Sequence, residues 1–267
     1  MVGKMPQFTP VSRERHAGKK WQRLKGYRFA SAITVAPIVG AELGRAALAM
    51  PRAFLQEADR FVLVAVLSLT AGRNMLVAPD GRWLSGYIPA LFQTYPFCLL
   101  PKQGSDQVVL CVDADSGLVV EGETAGEDFF DQQGNLSPAL KKVFNFLGEL
   151  ERGRKATDVA VSTLAAAGII KPWPIKIKTE QGDRAMTGLH HIDAAALNAL
   201  ADDAFLKLRK SSALSVAYAQ MLSAGQLGLF EQLARLQAKL TPPPVAALPE
   251  NLDSLFGLSS DDIIQFR

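Results

Sequence analysis

The sequence predicts an α+β fold in a single main domain, with a small, mostly antiparallel sheet and short helices in the N-terminal half and a helical C-terminal half. Three observations predict it. Residues 61–69 are a β-branched apolar run too short to cross a membrane and suited to a buried strand. Turn signals with a mechanism, Ala71-Gly72-Arg73-Asn74 and Pro79-Asp80-Gly81, punctuate the apolar runs of the first half. Beyond Ser137-Pro138 the apolar period lengthens from strand-like to helical spacing. At 267 residues and 48% hydrophobic content, the chain can bury a sizeable core.

Residues 1–26 read as a basic arm. Counted from Met1 to Arg28, Lys4, Arg13, Arg15, Lys19, Lys20, Arg23, Lys25 and Arg28 stand against Glu14 alone, a net +7 that leaves −4 for the rest of a chain whose total is +3. Such an arm could grip phosphates, but tails are ordinarily loose, so it is read as a solvated extension and nucleic acid is not taken as the partner. The main domain spans residues 27–240. In it, residues 29–35 read as a strand, and Pro37 as the start of a short helix with Ile38, Leu43, Ala46, Ala47 and Met50 on one face, ended by Pro51. Residues 61–70 and 75–78 read as β runs joined in a hairpin. A short helix is expected over residues 87–95, entered through Pro89, then a buried strand over 107–112 with residues 118–121 beside it.

Ser137-Pro138 predicts a helix N-terminus, and Leu140, Val143, Phe144, Leu147 and Leu150 its apolar stripe, with Gly168 as the stop. Residues 171–178 alternate apolar and basic side chains as an edge strand does, turning at Gly182-Asp183 toward a partner at 186–192. Asp193 caps a helix facing inward through Leu197, Leu200, Ala204, Phe205 and Leu208. Ser211 or Ser212 caps another, bearing Leu214, Ala217, Tyr218, Met221 and Leu222 and running toward Leu240, weakened at Gly225 and Gly228. Residues 241–250 are a proline-rich linker. Residues 251–267 are an acidic-hydrophobic docking tail, in which Leu255, Phe256, Ile263 and Phe266 are set among Asp253, Asp261 and Asp262. It suits docking either on its own domain or in a partner's groove.

Motifs that would announce chemistry are sparse. His191 and Asp193 have the spacing of two facial-triad ligands, but the remaining histidine outside His190 is His16, far upstream, and Asp193 already has work as a cap. Asp113-Ala114-Asp115-Ser116-Gly117 departs from a calcium loop, with its glycine one position early and Thr124 where a bidentate Glu is needed. It reads as a strand-end turn. Glu121, Glu123, Glu127 and Asp128 read as a solvated face. The sequence has no nucleophile elbow, phosphate loop or dinucleotide fingerprint. No catalytic, metal or cofactor residue is therefore expected, and the chain leans away from being an enzyme. Cys98 and Cys111 sit in apolar runs and read as two buried thiols. No secretory signal or membrane span is visible, so the default compartment is the cytoplasm, with the cell surface or envelope as the alternative.

The residue types that anchor protein contacts are Arg82, Trp83 and Tyr87, which combine area with fixed hydrogen-bonding geometry, together with Leu255, Phe256, Ile263 and Phe266 of the tail. The competing use of Trp83 is as core with Arg82 covering it.

The order of Tyr27-Arg28-Phe29, Pro37 to Glu42, Gly81-Arg82-Trp83 to Pro89, Tyr95-Pro96-Phe97, Asp113 and the helical pair from Leu197 to Leu222 resembles the SapC family over about residues 26 to 240. The resemblance implies a role in forming or serving a bacterial surface layer. It also implies, from neighbouring genes of family members, a link to iron/oxoglutarate hydroxylases or flavin-dependent halogenases. It carries no catalytic residue. The leading expectation is a non-enzymatic accessory protein of the surface layer or its biogenesis that binds another protein, an envelope component or a modifying enzyme. The alternative is a cytosolic adaptor presenting substrate to such an oxygenase or halogenase.

Overall fold

Ser137 and Pro138 begin the element around which the other parts are arranged. The structure, a computed structural model, describes residues 7–102, 104, 107–122, 125–179 and 182–240. The Ser137 hydroxyl accepts from the Leu140 amide at 3.2 Å, and Pro138 fills the first turn, where its missing N–H leaves no bond unmade. The helix runs 29 residues to Ala166, about 43 Å at 1.5 Å per residue. Gly168, at φ +68°, turns the chain out of it as the sequence predicts.

Before this helix come β1 (Phe8–Pro10), α1 (Arg13–His16), β2 (Lys19–Trp21), β3 (Val35–Pro37), α2 (Leu43–Ala46), β4 (Arg52–Glu57), β5 (Arg60–Val66), α3 (Ala90–Gln93), β6 (Phe97–Pro101), β7 (Val108–Asp113), β8 (Val119–Glu121) and β9 (Glu127–Asp128). The long helix is α4 (Pro138–Ala166). After it follow β10 (Ile170–Pro172), β11 (Ile175–Thr179), β12 (Gly182–Met186), β13 (Leu189–Ile192), α5 (Ala194–Asn198), α6 (Asp202–Lys210), α7 (Ala213–Ser223) and α8 (Leu229–Leu240).

The fold is α+β, and its strand pairings are antiparallel. A five-stranded sheet has the order β10-β13-β4-β5-β3, two smaller sheets have the orders β1-β7-β6 and β8-β2-β9, and β11 pairs with β12. Two apolar cores result. Phe54, Leu63, Leu164, Leu197, Leu208 and Phe230 belong to the larger, between the five-stranded sheet and the C-terminal helices. Trp21, Phe97, Val112, Phe129, Leu140 and Leu147 form the smaller. Helix α4 serves both, with Leu140 and Leu147 in one core and Ala160, Val161 and Leu164 in the other. Full burial of each large apolar side chain contributes about 1.5–3 kcal/mol.

Several elements differ from expectation. Residues 29–33 are not strand: Phe29 stacks on Tyr95 at 3.9 Å between ring centroids, and the Ala30 amide donates to the Tyr27 carbonyl, which folds Arg28–Ala30 into a 3₁₀ turn. Pro37 consequently ends β3, and the helical stretch starts at Gly40. Residues 75–78 do not form the hairpin with β5. They make one bridge, Val77 to Trp83, while β5 pairs with β4 from Arg52↔Ala65 to Glu57↔Arg60. Residues 119–121 pair with β2 rather than β7.

That pairing draws part of the basic N-terminal stretch into the fold. Lys19 meets Glu121 at 2.7 Å, Arg23 meets Glu127 at 2.8 Å, and Trp21 is 5% exposed. Residues 8–21 are thus sheet, helix and turn rather than solvated extension. In the second half, β12 stops at Met186, and Leu189–Ile192 joins β10 and β4 instead of continuing the ribbon. The helix expected from Asp193 is two, α5 and α6, the second opening with Asp202 and Asp203 where the helix dipole favours acidic residues. Ser212 stands at the start of α7 with φ +60° and no side-chain cap bond. Residues 241–267, including Leu255, Phe256, Ile263 and Phe266, lie outside the described residues.

Candidate functional site

The Asp80-Gly81 turn sets the position of the predicted contact residues. Gly81 has φ +93°, and a Cβ there would come within 2.8 Å of the Arg28 side chain, so the turn requires glycine twice over. Asp80 accepts from the Arg82 amide at 3.0 Å and from its Nε at 2.6 Å. The backbone bond, then the guanidinium, holds the Asp80 carboxyl below the usual range. Arg82 remains exposed. Trp83 turns inward and is half-buried, donating Nε1–H to the Tyr87 carbonyl at 2.7 Å and packing edge-on against Tyr27 and Phe92.

Tyr87 reaches Glu42, 45 residues away in sequence. Its hydroxyl donates to Glu42 Oε1 at 2.8 Å, the Ala90 amide donates to the same oxygen at 2.8 Å, and the Val39 amide donates to Oε2 at 2.8 Å. The carboxylate is 4% exposed, and its oxygens face these donors. Burial, then the bond to Glu42, pushes the Tyr87 hydroxyl above its ordinary range. The smaller core repeats the device: Asp113, 3% exposed, accepts from the Gln7 and Asp115 amides and from the Tyr95 hydroxyl, the last at 2.7 Å. Both carboxylates are committed to internal donors, an arrangement that braces loops onto sheets.

The two histidines of the sheet likewise face aromatic neighbours. The His190 ring packs against Phe61 at 5.0 Å, His191 stacks on Trp173 at 5.7 Å, and Asp193 caps α5 by accepting from the Ala195 and Ala196 amides. Burial pushes the His191 ring below its ordinary pKa. The Asp113 segment is the strand-end turn expected, with the Ser116 amide donating to the Asp113 carbonyl.

What sequence reasoning missed lies where the two cores meet. A cavity of about 260 Å³ opens between β5, β6, α3 and α4, with Ile38, Val62 and Leu63 from the side of the larger core and Leu99 and Leu147 from that of the smaller. Its back wall forms because α4 approaches the Val39–Gly40 turn closely. Thr157 Oγ1 accepts from the Gly40 amide at 2.8 Å and donates to the Gly153 carbonyl at 2.7 Å, and a Cβ on Gly153 would sit 3.3 Å from Val39. A mid-helix glycine costs about 1 kcal/mol, and here it permits that contact. Across the mouth, Glu57 and Arg60 of the β4–β5 turn face Glu151, Arg154 and Asp158 of α4. No local motif could have revealed this grouping, because its members are some 100 residues apart in sequence.

Cys98 also lines the cavity, directly opposite Cys111 across the β6–β7 pair, and both are free thiols. Burial, above all, pushes Cys98 up to about 12 from an ordinary 9.0. Its contribution to stability is therefore fully present below pH 9.0 and is lost as pH rises toward 12. At pH 8 only about one such thiol in ten thousand is ionised. Iodoacetamide should accordingly label native Cys98 on the order of a thousandfold more slowly than the urea-unfolded chain. The structure buries Cys111 fully and Cys98 only in part, and equal rates, read by peptide mass spectrometry, would mean that this partial burial does not suppress ionisation of the Cys98 thiol.

Among the described residues no helix is long and apolar enough to cross a membrane. Compared with known protein families, residues 11–229 match the one described as SapC. No curated protein and no solved structure matches the chain.

Proposed function

Because the chain belongs to the SapC family, we propose that it works by binding another protein rather than by catalysis, in the service of the bacterial surface layer or its biogenesis. The observation that carries this is the fate of the polar residues in its family-like motifs. Glu42, Tyr87, Tyr95 and Asp113 are tied to one another and to backbone amides, and the Trp83 indole is tied to the Tyr87 carbonyl. Groups engaged in this way hold a surface in shape. A general acid or base has to face its substrate within hydrogen-bonding reach. What the motifs leave outward is contact area: the exposed Arg82 turn and the cavity between the cores.

The test is purification of the tagged protein from its native host, separated into cytosol and envelope, with co-purifying proteins identified by mass spectrometry. Recovery with surface-layer or envelope proteins is expected. Arg82→Ala, on an exposed turn, should reduce that recovery without altering the fold. Recovery instead with a soluble hydroxylase or halogenase would make the chain an adaptor for that enzyme, and a protein recovered alone would overturn the binding function.

A further inference from the structure

The cavity between the cores does not end at its charged mouth. Arg60 and Asp158 line it on one side and, on the other, line a second hollow of about 440 Å³ with Asp59, Phe61, Val159 and Ala165. The two hollows adjoin along α4 with the Arg60–Asp158 ion pair between them, and are treated together as a groove. The first hollow, about 260 Å³, is below the ~300–1,000 Å³ usual for small-molecule sites. Its size suits side chains, and two hollows in line suit an extended segment.

Charge narrows the occupant further. Among the described residues that line the two hollows, the carboxylates of Glu57, Asp59, Glu151 and Asp158 outnumber the cations of Arg60 and Arg154, and Lys155, outside the lining, acts on Glu151 as well. Each of the three guanidinium nitrogens of Arg154 makes a bond, Nε and Nη2 to Glu151 at 2.8 and 2.7 Å and Nη1 to Asp158 Oδ2 at 2.6 Å. Arg60 Nη2 donates to Glu57 Oε2 at 3.1 Å, but its Nη1 stops 3.8 Å from Asp158, too far for a hydrogen bond. Oε1 of Glu57 and Oδ1 of Asp158 accept no hydrogen bond among the described residues. A surplus of carboxylate beside apolar walls calls for a cation on an apolar body. It disfavours the chain's own residues 251–267, which carry Asp253, Asp261 and Asp262 against Arg267.

We propose that this groove is the docking site for a partner polypeptide, which inserts an apolar side chain among Val62, Leu99 and Leu147 and sets a lysine or arginine against Glu57 and Asp158. The inference rests on the chain being a protein-binding member of its family, and it names where and by what chemistry the partner is held.

Random dodecapeptides displayed on phage and selected on the immobilised full-length chain at low ionic strength test it. Enriched peptides should pair an aromatic or aliphatic residue with a neighbouring Lys or Arg. Synthesised singly, they should bind Asp158→Asn about fivefold and Val159→Arg at least tenfold more weakly than the parent, with unchanged circular dichroism. Val159 is exposed and Asp158 half-buried outside both cores, so neither substitution opens a core. No enrichment, enrichment of acidic peptides, or binding indifferent to both variants would overturn the groove. So would displacement of the selected peptides by a synthetic 251–267 peptide, which would make the tail the occupant. If the groove fails while the native partner still co-purifies, the binding function stands and its surface lies elsewhere.

Discussion

Glu42→Ala should destabilise the protein by about 3–4 kcal/mol, lowering the midpoint of thermal unfolding by roughly 10 °C in a chain of this size. The substitution removes the acceptor from three donors at once: the Val39 and Ala90 amides and the Tyr87 hydroxyl. Each buried donor left unpaired costs about 1–3 kcal/mol, and water entering the space offsets part of the sum. Tyr87→Phe deletes one donor and leaves Glu42 its two amides, so it should cost only about 1–2 kcal/mol. The double variant should fall short of the two losses added together, because once Glu42 is gone the Tyr87 hydroxyl has nothing to lose. Urea denaturation of the four proteins closes the cycle. Strict additivity would mean that the two side chains are not coupled.

Asp113→Ala is expected to cost about 3 kcal/mol and to show where its brace acts. Asp113 receives the Gln7 amide at 3.2 Å, the Asp115 amide at 3.1 Å and the Tyr95 hydroxyl at 2.7 Å. Strand β1 is three residues long and, among the described residues, pairs only with β7, whose last residue is Asp113. Losing the carboxylate should therefore raise deuterium exchange at Phe8 and Thr9 far more than in the β4–β5 hairpin, whose six-residue register is remote from it. Uniform loss of protection across both sheets would contradict the local role.

The parts of this fold legible in the sequence are those whose cause is local. Ser137-Pro138, Gly168, Pro89 and the Asp193 cap act within a turn of chain, and each stands where its chemistry predicts. Strand pairing is not local. β4 went unseen because its sequence, Arg52-Ala53-Phe54-Leu55-Gln56-Glu57, begins with an arginine that the structure buries to 1% exposure. One Arg52 guanidinium N–H reaches the Leu43 carbonyl at 2.8 Å. Residues 75–78 resemble a strand because Met75, Leu76, Val77 and Ala78 are all buried, yet burial comes from packing against the larger core rather than from a ladder. The basic residues of the N-terminal stretch resemble a free arm because their partners, Glu121, Glu127 and Asp128, are about 100 positions downstream.

The site divides along the same line. Gly81, Arg82, Trp83 and Tyr87 stand out by residue type, but sequence cannot say that Trp83 and Tyr87 turn inward while Arg82 stays outside. The groove between the cores is a product of tertiary arrangement alone.

Helix α4 carries a further constraint because it belongs to both cores. Leu140 and Leu147 are fixed to one side and Ala160, Val161 and Leu164 to the other, with the Thr157 contact to Gly40 between them. Adding one residue between Leu147 and Gly153 would rotate everything beyond it by about 100° and advance it by about 1.5 Å. The downstream apolar stripe would then point away from the five-stranded sheet while the upstream stripe stayed seated. Loops on either side can change length at little cost, but the middle of α4 is a phase-locked spacer, and any viable insertion there would have to restore the helical phase.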